Sequence, residues 1–386
     1  MRKEFLPFHK PLLGKEEEDE VIQVLRSGWL TTGSRTLRFE KDFASYIGCR
    51  HAIGLNSCTA GLHLALVAYG IGEGDEVITS PITWPSTANV IVHQRARTVF
   101  VDVESGTLNI DANKISEAIT PRTKAIIPVH FAGHPCDMDK ISKIARTYNL
   151  KVIEDAAHAI EAKYYGVKVG VLGDVASFSW YATKNATTGE GGMFTTNDDE
   201  IADKVRILRL HGISRDAWKR YGNEGYKHWE VIYPGYKYNM PDIMAAIGIH
   251  QLKRIEGFLQ IRNKYVKMYD NAFSKIPEIK LLESKDNIKH SHHLYVIQVK
   301  TEDLTTSRDV IMNAIQAENV GIGVHFRALH LQEYYRNTYG FKIGDFPNAE
   351  YAGDRVISLP LYPAMTEGDV LYVIMVVKLV IDRYRK

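Results

Sequence analysis

The chain of 386 residues is 45% hydrophobic and 24% charged, and its 48 Lys and Arg against 46 Asp and Glu leave a formal charge of +2. These proportions exclude an intrinsically disordered chain, a collagen-like repeat and a small disulfide scaffold, and so small a charge supplies no long-range field for nucleic acid or an anionic membrane. The length exceeds what one hydrophobic core supports, so two domains are expected, and any anionic ligand must be held by local devices.

The opening stretch MRKEFLPFHKPLLGKEEEDE lacks the continuous apolar segment of a signal peptide. Glu16 to Leu25 begins acidic, turns apolar at Val21, Ile22, Val24 and Leu25 and stops at Gly28, the pattern of a capped helix. From residue 51 a short apolar run, a turn and a helical stretch recur: HAIGL, NSCT and AGLHLALVAYG, then DEVITS, a Trp/Pro loop and TANVIVHQ. Further short runs lie at Thr98–Val103, Ala125–Val129, Val152–Ile153 and Val175–Phe178. Such βα units build a mostly parallel sheet covered by helices, with ligands collecting beyond the carboxyl ends of the strands. After Met240-Pro241-Asp242 a long helical stretch runs from Ile243 to about Phe273. A strand at His293–Val299, a helix near Arg308–Glu318, a strand at Val320–His325 and a closing helix from about Glu367 follow. The expected architecture is an α/β domain over residues 1–242, then a connector helix and a smaller α+β domain over 243–386.

Cys49, Cys58 and Cys136 stand in unrelated contexts with no CxxC spacing, which points to a reducing compartment, a cytoplasmic protein and no structural zinc. The longest apolar stretch, Val370 to Ile381, is broken by Lys378 and falls short of the roughly 20 residues of a membrane span.

Three segments carry chemistry. Lys151-Val-Ile-Glu-Asp155 ends a β-branched run in a carboxylate where parallel sheets bind ligands, although Asp155 would also suit a helix N-cap. Lys184 sits between an aromatic strand end, SFSWYAT, and the glycine-rich turn NATTGEGG, where few neighbouring charges let its amine be desolvated as a Schiff-base lysine requires. Asp155 precedes it by 29 residues, the arrangement expected for pyridoxal phosphate (PLP), which needs a lysine for its aldehyde and an acid for its ring nitrogen. Gly54-Leu-Asn-Ser-Cys-Thr-Ala-Gly61 leads a strand into a helix whose N-terminal N–H groups form an anion site for the cofactor phosphate. Trp84, on the Pro-flanked loop PITWP, could stack on a flat cofactor.

With NSCTAGLHLAL, VIEDAAHAI, SFSWYATKNATTGEGG and PGYKYNMPD in order, the chain resembles the DegT/StrS-type nucleotide-sugar aminotransferases, which are fold-type I PLP enzymes. The similarity runs from SGWLTTG near the N-terminus to VHFRALH and SLPLYP near the C-terminus. It implies that Lys184 binds the cofactor and shuttles a proton, and that Asp155 keeps the pyridine nitrogen protonated. Cys58, Thr59 and Ser179 match phosphate-binding positions, Cys58 being an unusual choice that matters little if the backbone N–H is what binds. Trp84 matches the stacking aromatic and His158 a residue beside the ring. Asn239 matches a residue reaching the phosphate of the neighbouring subunit's cofactor, which implies a homodimer with shared sites. Lysine at position 184, where some relatives carry histidine and act as dehydratases, is the transaminase residue.

HGISRDAWKRYGN, PGYKYNMPD and GIGVHFRALH look most like the enzymes that aminate the 4-keto carbon of a UDP-linked sugar, such as the 4-amino-4-deoxy-L-arabinose enzymes of lipid A modification. L-Glutamate is the donor the resemblance implies, leaving as 2-oxoglutarate. His325 is the candidate sugar contact, and Trp29, Thr31 and Thr32 are candidates for the entrance. A 3-keto-sugar aminotransferase and a non-catalytic PLP-binding regulator are the alternatives within the resemblance. A metal site from His290, His292 and His293, or from His130 and His134, is disfavoured: the first group is expected to be solvent-exposed, the second lacks a thiolate or carboxylate at ligand spacing.

Overall fold

The computed structural model describes residues 2–214 and 229–386. Two helices open the chain, α1 (Lys15–Ser27) and α2 (Ser34–Ile47). α1 starts where the Glu17 carboxylate takes the Gly14 N–H (2.9 Å) and ends at Gly28, whose φ of 71° suits glycine.

The large sheet is built from β1 (His51–Leu55), β2 (Glu76–Thr79), β3 (Arg97–Phe100), β4 (Thr123–Ile127), β5 (Lys151–Asp155), β8 (Val175–Ser179) and β9 (Gly192–Thr196). The short strands β6 (Lys163–Tyr164) and β7 (Val167–Lys168) lie in a separate small sheet. Strand order is β1-β9-β8-β5-β4-β2-β3; β2, β3, β4, β5 and β8 run parallel, and β9 runs antiparallel to both β1 and β8. The mostly parallel sheet follows from the βα repeat. β9 breaks it because a loop rather than a crossover helix joins it to β8, so it must return antiparallel. Helices α3 (Cys58–Ala68), α4 (Pro85–His93) and α5 (Met138–Tyr148) make the β1–β2, β2–β3 and β4–β5 connections, and α6 (Asp199–Leu208) follows β9. α3 is buried nearly all round, as a helix between sheet and neighbours must be.

Helix α7 (Asp242–Phe273) spans both halves of the molecule. Its first turns, through Ala245, Ile249, Leu252 and Ile255, pack with Phe39, Phe43, Phe178 and Trp180. Its last turns, through Tyr265, Tyr269 and Phe273, join a second core with Ile297, Ile311, Ile357 and Val377. That core lies under an antiparallel sheet of β10 (Ile279–Leu281), β12 (Tyr295–Val299) and β13 (Val356–Leu359). β11 (Ile288–Lys289) instead pairs with β6. Helices α8 (Arg308–Ala317) and α11 (Glu367–Tyr384) pack on this second core; α9 (Glu333–Tyr339) and α10 (Pro347–Gly353) lie between them in the chain.

The strand expected at Val320–His325 does not form. Residues 6–8 lie across it: Leu6 N donates to Asn319 O (2.9 Å) and Gly321 N to Leu6 O (2.8 Å), leaving only isolated bridges at Val320 and Gly323. β13 forms the edge of the three-stranded sheet, Gly323 bridges its Ser358, and Leu6 joins the second core. No helix among the described residues is long and apolar enough to cross a membrane.

Candidate active site

β5 and β8 end side by side, and their carboxyl ends form the floor of the site. Asp155 is buried there; Oδ2 accepts from the Thr87 hydroxyl (2.7 Å) and Oδ1 from the Ala157 N–H (3.2 Å). No ion pair to this carboxylate exists among the described residues, and burial raises its pKa above the usual range, against those two bonds and the Lys184 charge. Lys184 follows on the loop after β8. Burial of its amine lowers the pKa to about 8, with Cys58 and Asp155 acting in the opposite sense. A lysine near neutrality beside an unpaired carboxylate is poised for covalent and proton-transfer chemistry.

The turn between β1 and α3 closes one side. Ser57 caps α3, its hydroxyl accepting from Ala60 N (3.1 Å), and Thr59 is exposed in the first turn. The Cys58 side chain is turned inward: Sγ donates to the Ser177 carbonyl (3.3 Å), Ser177 Oγ donates to the Cys58 carbonyl (2.9 Å), and burial pushes the thiol pKa up. The thiol is therefore occupied, which leaves the helix N-terminal N–H groups and Thr59 to meet an anion. Ser179 is buried, its hydroxyl accepting from Tyr181 N (3.3 Å). Gly192 is required here, because a Cβ would lie 2.6 Å from Cys58 N and nearer still to the Ser57 carbonyl. Gly192→Ala should displace the turn and weaken cofactor binding at least about tenfold. Titration of the apoprotein with PLP checks this, and an unchanged affinity would show that the turn binds no phosphate.

Histidines form the opposite wall. The His158 ring lies 4.3 Å from that of His293 and stacks near Phe326 at 6.1 Å. His325 Nδ1 meets Ser358 Oγ (2.8 Å), and its ring stacks on Phe8. His9, which the sequence reading did not single out, packs beside Tyr362. Burial lowers His9 and His325 to about 4 and takes His158 and His293 well below the usual imidazole value, with the Lys184 charge adding to each. These rings are neutral in the native state but titrate near 6.5 when unfolded, so their contribution is full above about pH 6.5 and is lost as pH falls toward about 4. The melting temperature should fall across that window. A flat profile between pH 7 and 5 in thermal melts would contradict buried neutral histidines.

Trp84 is 63% exposed as the N-cap of α4, its ring tilted 6.0 Å from Phe326, so one face is open. Trp29, Thr31, Thr32 and Asn239 gather elsewhere, at the start of α7. Trp29 Nε1 donates to Thr32 O (3.1 Å), Thr31 O accepts from Asp242 N (3.2 Å), and Asn239 Nδ2 donates to Thr32 Oγ1 (2.6 Å). Thr32 does not line an entrance: it is buried, with its hydroxyl on the Met240 carbonyl (2.6 Å). Trp29 and Thr31 remain exposed, and the Asn239 backbone bridges Leu55, next to the phosphate-type turn. Of the stretch HGISRDAWKRYGN, residues 215–223 lie outside the described residues.

The histidines of KHSHHLYV are not solvent-exposed. Ser291 N donates to Gly133 O (3.0 Å), which docks the segment; His293 is buried and His290 and His292 are half-buried. His130 does have a carboxylate beside it, Glu154 at 3.0 Å, but Glu154 also accepts from the Gly170, Leu172 and Gly173 N–H groups, which fixes it as a structural acceptor. No group of three or more His, Cys, Asp or Glu among the described residues could hold a metal ion.

A family model described as the DegT/DnrJ/EryC1/StrS aminotransferase family matches residues 11–378. The chain is 54% identical over 385 residues to an uncharacterized protein of Methanocaldococcus jannaschii, covering 100% of each. It is 50% identical over 378 residues to the spore coat polysaccharide biosynthesis protein SpsC of Bacillus subtilis, covering 98% of this chain and 97% of the relative. Spr1654 of Streptococcus pneumoniae, designated a sugar aminotransferase, matches in its PLP form with a TM-score of 0.90 and 32% identity, over 98% of this chain and 99% of that one. Its PMP form matches with the same TM-score at 33% identity, covering 98% of each chain.

Proposed function

The chain belongs to the DegT/DnrJ/EryC1/StrS aminotransferase family and is a PLP-dependent sugar aminotransferase; we propose that it transfers the amino group of L-glutamate to the 4-keto carbon of a UDP-linked sugar. The observation that carries the chemistry is Asp155, a buried carboxylate with no ion pair among the described residues, set near a lysine whose pKa is lowered to about 8. The residues present fit the cofactor. Asp155 would face the ring nitrogen, Trp84 and His158 would flank the ring, and Thr59, Ser179 and the first N–H groups of α3 would hold the phosphate in a cradle that a Cβ at Gly192 would fill.

Bound PLP supplies an electron sink that makes the proton on the amine-bearing carbon removable. Lys184 carries the reactive amine and, with its pKa lowered to about 8, would serve as the base that takes and returns the proton of the amine-bearing carbon once the cofactor is bound. Asp155, shielded from water, would keep a proton on the ring nitrogen of a bound cofactor. The neutral histidine wall offers polar contacts to a sugar without adding a cation beside Lys184. An amino-sugar product for a surface polysaccharide accords with SpsC. Exposed Ile22, Leu25, Trp29, Leu30 and Leu37 on and after α1 and α2 support a second copy packing on this face, with Asn239 nearby for a shared site.

The test is in two stages. Glutamate added to the holoenzyme should release one 2-oxoglutarate per site, and a panel of nucleotide-linked 4-keto and 3-keto sugars should then be offered to the loaded enzyme. A UDP-linked 4-keto sugar should restore the absorbance of the lysine-bound cofactor. Restoration by 3-keto sugars alone would overturn the proposed acceptor.

A further inference from the structure

Asn185, next to the reactive lysine, is buried and turned toward Glu161 and His293. Its Nδ2 donates to Glu161 Oε2 (2.7 Å) and to the Ser291 carbonyl (3.0 Å). Glu161 is ion-paired with Arg262, whose Nη2 donates to it; Arg262 Nε donates to the same Ser291 carbonyl (3.3 Å), and both charged side chains are fully buried. A carboxylate and a carbonyl only accept, so the amide can point one way alone, with its oxygen on His293 Nδ1 at 2.9 Å. An amide oxygen also only accepts. His293 Nδ1 therefore carries the proton, and in the neutral ring Nε2 is a bare lone pair.

That Nε2 has no partner among the described residues and is not enclosed by protein atoms. Its ring lies 4.3 Å from His158 and within electrostatic reach of Lys184, His325 and His9, which puts it on the histidine wall of the site. The neighbouring histidines are not fixed in this way. His325 Nδ1 meets a serine hydroxyl that can donate or accept, and His158 Nδ1 is enclosed without a partner.

We propose that His293 is a substrate-binding residue whose Nε2 accepts a hydrogen bond from a hydroxyl of the sugar, and that Asn185 and Glu161 are positioning residues that hold it in the accepting tautomer. The inference rests on the sugar aminotransferase reading above. Carboxylates, phosphates and the keto oxygen of the two substrates can only accept, and the amino group is engaged at the cofactor. The donors left are the hydroxyls of the hexose and the ribose and the uracil N–H, and of these the hexose hydroxyls belong to the ring that must reach Lys184.

Two measurements on the holoenzyme test it. NMR of ring-labelled histidine, with the His293 signals assigned by their loss in His293→Gln, should show a proton on Nδ1 and none on Nε2 between about pH 6 and 8; a proton on Nε2 overturns the proposal whatever the substrate. With a UDP-linked 4-keto hexose as the probe, His293→Phe should raise KM about tenfold while kcat changes less than about threefold, the loss of one oriented hydrogen bond. His293→Gln, which returns an amide acceptor near the Nε2 position, should recover part of that loss. An unchanged KM in His293→Phe overturns the proposal with the sugar reading intact. A wild-type enzyme that takes amine from glutamate but passes it to no keto sugar removes that reading, and with it the partner assigned to His293. Should His293→Phe fail to fold, the tautomer measured in the wild type still decides.

Discussion

Lys184→Ala should lose at least about 10⁴-fold in amine transfer from glutamate, since one substitution removes both the covalent attachment and the proton carrier. The variant should nonetheless fold. Lys184 Nζ makes no hydrogen bond or ion pair among the described residues, and an amine whose pKa is lowered by burial is destabilising where it stands. The apoprotein melting temperature should therefore stay level or rise, while the spectrum of added PLP should remain that of the unattached aldehyde. A variant that keeps transferring amine would sink the assignment of Lys184. One that loses activity together with a large drop in melting temperature would point to a structural role instead.

Lys184 and Asp155 were legible in the sequence because each depends on a local pattern, an apolar strand run ending in a chemically unusual residue. The turn at Asn56 to Thr59 was legible for the same reason: a strand, a capping serine and an apolar helix follow one another within a few residues. What stayed hidden depends on partners far apart in the chain. Thr87 reaches Asp155 across 68 positions, and Asn185 reaches His293 across 108, so no local spacing announces either. His293 looked like part of an exposed histidine run, because nothing nearby tells that Gly133 receives the segment. Thr32 looked like a polar entrance residue, yet its hydroxyl bonds to Met240, 208 positions away. The missing strand after Val320 has the same origin: Val320 is matched by Leu6 of the N-terminal segment, and the sheet receives the stretch at the single bridge Gly323 to Ser358. Packing partners distant in sequence decide exposure, and exposure decides which polar residues are free to act.

Asp155→Asn should separate the needs of the cofactor from those of the fold. In the apoprotein the carboxylate is a buried charge whose hydrogen bonds among the described residues come from the Thr87 hydroxyl and the Ala157 N–H, and burial raises its pKa against these and the Lys184 charge. Asparagine keeps an oxygen for the Thr87 hydroxyl and, at the cost of the longer bond from the Ala157 N–H, removes the desolvated charge, so the apo melting temperature should hold or rise by a few degrees. With PLP bound the balance reverses. The carboxylate opposes the positive charge of the ring nitrogen in a site shielded from water, where one preorganised charge is worth about 10²- to 10³-fold in rate. The variant should lose about that much in turnover, and the rise in melting temperature on adding PLP should shrink. A variant that kept its turnover would mean that the ring nitrogen is not set against Asp155. A fall in apo stability would mean that the charge serves the fold, whereas a more stable apoprotein with a slower holoenzyme is the pattern of a residue kept charged for its ligand.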